Sequence, residues 1–318
     1  MSIDLAHNSE ISVGAISLGP ESVALRSQGG GGRVIAVLSN AIYLRSEDGL
    51  VLGVIEGEID SPLSVRVSTL APLIRAAKES TCNTFEVTSD TVIIADCVSI
   101  AWGNVQSWSP RLPAKVGSHS ERLAVVTQLT RHIANEGLRE GCASAACYLV
   151  ERWNGIATQP SPADPLAARF LRRLNVAHAA LQKGDTKEAV ASVMRLLGLG
   201  PGLTPSGDDF LAGLVTALVW QSRLDTACSE LADKLVAAIR ETAPSRTNHI
   251  SARMLWHACD GLLYAPAMEL EAALFSGDSS VATTALPGLL SIGHTTGGDI
   301  AAGLMVGVLL DDRREMVD

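Results

Sequence analysis

Gly198-Leu199-Gly200-Pro201-Gly202-Leu203-Thr204-Pro205-Ser206-Gly207-Asp208-Asp209, followed by Phe210-Leu211-Ala212-Gly213-Leu214-Val215, sets the reading of the whole chain. Glycines and prolines up to Pro205 cannot continue a helix, whereas the apolar run from Phe210 begins one. The segment is therefore a rigid loop feeding a buried helix N-terminus. Amides left without intrahelical partners there, together with the helix dipole, favour negative charge. Thr204 and Ser206 add hydroxyls. Asp208 and Asp209 can cap the helix, but one cap suffices for a first turn. The other is free to accept a substrate N–H, orient a hydroxyl or hold Mg²⁺, which would need a third ligand from elsewhere.

That ligand has a candidate in a second segment of the same kind. Gly293-His294-Thr295-Thr296-Gly297-Gly298-Asp299 precedes Ile300-Ala301-Ala302-Gly303-Leu304. Gly207-Asp208-Asp209 with Gly213-Leu214 matches Gly297-Gly298-Asp299 with Gly303-Leu304. Both are hydroxyl-rich turns entering an apolar helix with glycine in its second turn, where a missing side chain lets two helices approach. We expect two similar helix starts facing one another. A third polar cluster, Ser245-Arg246-Thr247-Asn248-His249-Ile250-Ser251, also sits at an expected helix start. Its Arg246 offers a planar fork for carboxylate or phosphate, against the ordinary reading of a solvated arginine. His249 and His294 lie on such turns, where a proton-transfer role requires reach to a substrate.

Outward from these segments the chain divides in two. Residues 116–318 read as helical, with helices expected over about 120–136, 141–153, 164–183, 186–197, 207–222, 226–242, 249–263, 266–275, 279–291 and 298–311. Ser118-His119-Ser120-Glu121 and Asp185 with Glu188 are capping-box patterns, and Gly184 ends the helix before Asp185. Residues 1–115 read as β-rich and barrel- or sandwich-like. Short runs rich in Val, Ile and Thr occur at Ile11–Leu18, Arg33–Leu38, Ile42–Leu44, Leu50–Ile59, Ser64–Thr69, Thr84–Val87, Val92–Ile94 and Cys97–Trp102. Gly29–Gly32 reads as a hairpin tip or, alternatively, a backbone cradle for a ligand. Ser109-Pro110 and Leu112-Pro113 mark the change of pattern. The fold class is thus α+β.

Composition narrows the function. The 318 residues carry a net charge of −9 and no long basic run, which argues against nucleic-acid binding. The apolar stretches Phe210–Trp220 and Ile300–Leu310 are too short to span a bilayer, which takes about 20 residues. Met1–Glu10 lacks the apolar core of an export signal, so we expect a cytoplasmic protein. The six cysteines, Cys82, Cys97, Cys142, Cys147, Cys228 and Cys259, form no C-x-x-C pair and read as free thiols. Aromatic residues are only 4%, so small aliphatic residues must fill the core. No nucleotide loop or recognisable nucleophile triad is present, and no cofactor is implied beyond the Mg²⁺ that the aspartates could hold.

The run Gly200–Phe210 resembles the signature of a bacterial family long listed as a domain of unknown function, which includes AllH (YlbF-like) proteins of allantoin-degradation loci. Thr247–Ser251 and Gly293–Asp299 are similar to its later motifs. Asn248 stands where a second Thr is expected, and Thr296 where a Ser is expected. The resemblance implies a subunit of an oxamate carbamoyltransferase, working with FdrA-like and AllG-like subunits. The implied reaction converts oxalurate and phosphate to oxamate and carbamoyl phosphate in purine nitrogen catabolism. Gly202, Thr204, Ser206, Gly207, Arg246, Thr247, His249, Ser251, Thr295, Thr296 and Gly297 would then bind a small anion. Asp208, Asp209, Asp299 and His294 would be the catalytic candidates. The competing readings are a non-catalytic partner subunit in a heteromeric complex, and a Mg²⁺-dependent enzyme of a phosphate ligand.

Overall fold

The computed structural model describes residues 11–135, 141–153, 165–224 and 229–310. Met1–Glu10 and Cys228 lie outside the described residues. The chain forms two compact units, Met1–Ser109 and Pro110–Asp318.

The first unit is a closed eight-stranded barrel. Its strands are β1 (Ile11–Leu18), β2 (Gly30–Val37), β3 (Ala41–Ser46), β4 (Val51–Glu56), β5 (Ser64–Val67), β6 (Thr84–Val87), β7 (Thr91–Ile94) and β8 (Val98–Ala101). Around the barrel they run β1-β5-β4-β3-β2-β6-β7-β8, with the β1–β8 and β4–β5 pairs parallel and the others antiparallel. Closure leaves no strand edge unpaired. Residues of alternating strand positions, among them Ile42, Leu44, Leu52, Val54, Val65, Val67, Val92, Ile94 and Trp102, fill the core.

Two features depart from the expectation. The glycine run is neither a hairpin tip nor a ligand cradle, because Gly30–Gly32 begin β2 and pair with β3 and β6. The absent side chain is what allows this. A Cβ on Gly32 would lie 2.1 Å from the Arg45 carbonyl oxygen and 2.8 Å from the Phe85 ring. The β-rich half also contains two helices, α1 (Pro20–Gln28) and α2 (Ala71–Glu79). Each has proline in its first turn, and α1 is tied down by Glu21, whose buried carboxylate accepts the Val51 amide at 2.8 Å.

The second unit is helical: α3 (His119–Asn135), α4 (Ala143–Trp153), α5 (Pro165–Gln182), α6 (Thr186–Met194), α7 (Ser206–Leu224), α8 (Ser229–Arg246), α9 (His249–Ala258), α10 (Ala265–Ser276), α11 (Ser279–Leu290) and α12 (Thr296–Leu309). Every helix expected from the sequence is present. The Ser118–Glu121 capping box forms, Ser118 Oγ accepting the Glu121 amide at 3.3 Å while Glu121 accepts that of Ser118; at α6 only the cap forms, Asp185 accepting the Glu188 amide at 3.0 Å, because the Asp185 amide goes to Ala180 O and Glu188 accepts from Ser192 instead. Gly184 ends α5 at φ +71°.

Helices α7 and α12 are apolar on all sides, and almost every residue of each is buried. Such helices belong at the centre of a bundle. They pack on one another, with α8 and α9 against α7 and with α3, α4, α10 and α11 against α12. No helix among the described residues is long and apolar enough to cross a membrane. The described cysteines are free thiols, buried except for the half-buried Cys82.

Candidate functional site

The two glycine-rich turns meet. A Cβ on Gly213 of α7 would lie 2.2 Å from Ile300 O and 2.9 Å from Leu304 N of α12. A Cβ on Gly303 of α12 would lie 2.1 Å from Phe210 O and 2.7 Å from Leu214 N of α7. The contacts are reciprocal, position for position, as for two helices related by a local two-fold axis. The same correspondence governs the turns. Gly207 sits against Leu196 O, where a Cβ would come within 1.9 Å, and Gly297 against Leu289 O, within 1.8 Å. Each helix start is thereby pressed onto the end of the helix before it, and only glycine permits that approach.

This crossing places hydroxyls and carboxylates of the two turns together. Thr204 Oγ1 and Thr296 Oγ1 are 2.9 Å apart, and Ser206 Oγ and Thr295 Oγ1 are 3.4 Å apart. The hydroxyl of each helix start serves the carboxylate of the other. Thr296, with Thr204, hydrogen-bonds Asp209, while Ser206, with Thr295, hydrogen-bonds Asp299. Both aspartates are buried, Asp299 completely. One oxygen of each, Asp209 Oδ2 and Asp299 Oδ2, has no hydrogen-bond partner among the described residues.

Burial disfavours the charged form of both acids. Asp209 is held well above the usual carboxylate range, first by desolvation and then by the negative charge of Asp299; the hydroxyls of Thr296 and Thr204 oppose this. Asp299 is pushed up to about 6, again by burial. The Cys142 amide is the main opposing influence, ahead of Ser206, the Cys142 thiol and Thr295. The N-terminus of α4 supplies that amide, and Gly141, at φ +71°, lets it approach. A Cβ there would lie 2.5 Å from Asp299 Oδ1. The Cys142 thiol also donates to Ser206 O at 3.1 Å.

Asp208 points elsewhere. Oδ1 accepts the Gly198 amide at 2.6 Å and Oδ2 accepts the Thr247 hydroxyl. Burial raises its pKa, while these bonds lower it. Asn248 caps α9 through Ile250 N and Ser251 N and donates to Leu203 O at 2.7 Å. Ser251 Oγ donates to the same carbonyl at 3.3 Å. Asp208, Thr247, Asn248 and Ser251 thus lash the loop Gly198–Pro205 to the α8–α9 junction. Thr296 and Asn248, the two departures from the expected motif, both keep working polar groups.

The residues singled out from the sequence therefore fall into three sets. Thr204, Ser206, Asp209, Thr295, Thr296 and Asp299 form the buried centre, with Gly207 and Gly297 as its packing points. Asp208, Thr247 and Ser251 form the lashing. Gly202, Arg246, His249 and His294 are exposed. Among the described residues, Arg246 and His249 make no ion pair or side-chain hydrogen bond with any of the three aspartates. The expectation of unpaired amides at the helix starts also changes. Leu199 O takes the Gly207 amide, Pro205 O those of Asp208 and Asp209, Ile292 O that of Gly297, and Thr295 O that of Asp299. The loops thus fold back on themselves and take up these five amides. Sequence reading missed Gly141 and Cys142, whose only local signal is a glycine just before an Ala-rich helix.

Among the described residues no group of three or more His, Cys, Asp or Glu side chains is placed to hold a metal ion. Asp208, spent on the loop, does not supply a third carboxylate to Asp209 and Asp299.

No solved structure matches the chain. Residues 196–308, which contain both glycine-rich turns and all three aspartates, match the family model described as oxamate carbamoyltransferase subunit AllH, the family that the central motif resembles.

Proposed function

We propose that this chain is a subunit of an oxamate carbamoyltransferase and that its buried aspartate pair handles the carbamoyl group. The observation that carries the reading is the meeting of Asp209 and Asp299 at crossed helix starts, each with one buried oxygen lacking a partner. A carbamoyl or ureido group presents N–H donors and a carbonyl, which such oxygens and the hydroxyls around them complement. A pair of carboxyls in unequal environments suits acid–base work.

In this reading Asp209, whose pKa burial and the neighbouring carboxylate raise, is the protonated member of the pair and donates a hydrogen bond to the carbamoyl oxygen as hydrogen phosphate attacks the carbamoyl carbon. Asp299, whose pKa of about 6 lets it accept a proton and release it, takes the proton of the attacking hydrogen phosphate and passes it to the departing nitrogen as the C–N bond to oxamate breaks. Phosphate leaves as carbamoyl phosphate. Thr204, Ser206, Thr295 and Thr296 orient both carboxyls. Asp208 acts through the loop, as a positioning residue. The small anionic substrates and the FdrA-like and AllG-like partners belong to this proposal, as does a role in purine nitrogen catabolism.

The test is reconstitution of the complex and measurement of carbamoyl phosphate formed from oxalurate and phosphate. Asp209→Asn and Asp299→Asn should each lower kcat by about 10²–10⁴ while the complex still assembles. Full activity in both variants would transfer the chemistry to another subunit and leave this chain a structural partner.

A further inference from the structure

A second site lies on another part of the helical unit. On α5, Arg169, Arg172, Arg173 and Val176 follow helical spacing and face the same groove. Ser192 and Arg195, at the end of α6, complete its lining, and the groove encloses about 410 Å³. Four arginines thus line one groove of a chain whose net charge is −9.

Arg169, Arg172 and Arg195 are exposed and Arg173 is half-buried, and three observations bear on what the cluster can bind. First, four arginines elsewhere in the chain are engaged: Arg66 pairs with Asp60 at 2.8 Å, Arg240 with Asp260 at 2.6 Å, Arg223 stacks on Trp220, and Arg26 donates to Trp102 O. The four groove arginines have no ion pair among the described residues. Second, like charges three and four residues apart destabilise a helix by roughly 0.2–0.5 kcal/mol per pair, so the arrangement works against α5 unless something neutralises it. Third, the groups line a concavity of the size that holds small molecules, about 300–1,000 Å³. The nearest recorded carboxylate contact is that of Glu188, which accepts from Ser192 Oγ at 3.2 Å.

We propose that this groove binds a small ligand bearing a di- or triphosphate group. Guanidinium forks recognise phosphate oxygens in pairs. Four of them exceed what a single orthophosphate can neutralise, and they match the three or four charges of linked phosphates. The site is separate from the aspartate centre and does not depend on the reading given to it.

Isothermal titration of the full chain with orthophosphate, pyrophosphate and tripolyphosphate in about 0.15 M NaCl tests this, because exposed pairings are already screened at that ionic strength. The linked phosphates should bind at least about tenfold more tightly than orthophosphate, since each added fork–phosphate contact is charge-assisted. Arg172→Ala and Arg173→Ala should each weaken pyrophosphate binding about tenfold, and Arg172→Lys, which keeps the charge but loses the fork, by a smaller factor. Unchanged melting curves would establish that these variants fold. Equal affinity for all three anions, or binding indifferent to the arginine variants, overturns the proposal. So does loss of binding in Asp209→Asn, which would put the anion at the aspartate centre. Capture of an acidic protein that depends on Arg172, with no response to pyrophosphate, overturns it in favour of a protein partner.

Discussion

Gly213→Ala is the sharpest test of the helix crossing on which the aspartate centre depends. The added methyl carbon would stand 2.2 Å from Ile300 O and 2.9 Å from Leu304 N. Carbon contacts settle at about 3.5–4.0 Å, so α7 and α12 must part by roughly 1 Å or more. The obstacles are backbone atoms of a buried helix, which cannot rotate away as a side-chain tip would. Overpacking of this kind costs about 1–3 kcal/mol and sometimes more. Alanine returns up to about 1 kcal/mol through its higher helix propensity. The cross-helix bonds from Thr296 to Asp209 and from Ser206 to Asp299 also lengthen, so the net expectation is a loss of about 2–3 kcal/mol. For a unit of this size that lowers Tm by roughly 4–10 °C. Urea unfolding followed by circular dichroism measures it, with Gly288→Ala as the control. A Cβ at Gly288, also in a helix, meets only Pro266 at 3.6 Å, an ordinary contact, so that variant should be neutral or slightly stabilised. Equal or greater stability in Gly213→Ala would refute the close crossing.

The pH dependence follows from Asp299. Its folded-state pKa is raised from 3.8 to about 6, so the stability it contributes is full below about 3.8 and is lost as pH rises through about 6. The difference in unfolding free energy between wild type and Asp299→Asn should therefore change by about 2 kcal/mol between pH 4 and pH 7, and a difference independent of pH would contradict the burial of this carboxyl. Asp208→Ala leaves the Gly198 amide without its acceptor, which should cost about 1–3 kcal/mol and raise hydrogen exchange at Gly198; retained protection there would remove Asp208 from the lashing. Gly141→Ala drives a methyl toward Asp299 and requires a left-handed backbone, so it should displace the Cys142 amide and move the acid limb of the activity profile to higher pH. In the barrel, Gly32→Ala should lower stability by about 2 kcal/mol or more, read by thermal melting, because its Cβ meets the Arg45 carbonyl.

Much of this architecture was legible because it rests on local periodicity. The alternating runs of β1 and β6 and the capped, apolar helices of the second unit follow directly from side-chain spacing. What escaped were features decided by distant contacts. The nine residues of α1 carry a weak apolar stripe, and that helix is fixed by Glu21 reaching Val51. Gly30–Gly32 look like a flexible turn in isolation and become strand only beside Arg45 and Phe85. The pairing of the two turns was readable, since their glycines and aspartates recur in register. The division of labour between Asp208 and Asp209 was not. Adjacent residues project about 100° apart on a helix, and nothing local says which faces the neighbouring helix and which faces the loop.

The near-symmetry of the two turns explains both the pairing of the acids and the difference between them. A perfect two-fold would give Asp209 and Asp299 identical surroundings and hence the same intrinsic affinity for a proton. Two departures separate them. The first turn carries Asp208 where the second carries Gly298. The charge of Asp208 adds to the influences that raise the pKa of Asp209. At the corresponding place in the second turn, a Cβ on Gly298 would stand in ordinary contact with Ala143 of α4 at 3.6 Å. The start of α4 thus lies beside Gly298. From there the Cys142 amide reaches Asp299 and lowers its pKa relative to its twin. The two carboxyls thus sit in unequal surroundings: burial and two neighbouring carboxylates raise the pKa of Asp209, while the Cys142 amide holds that of Asp299 to about 6, and in the function proposed above that inequality is what acid–base work on a single bound group requires.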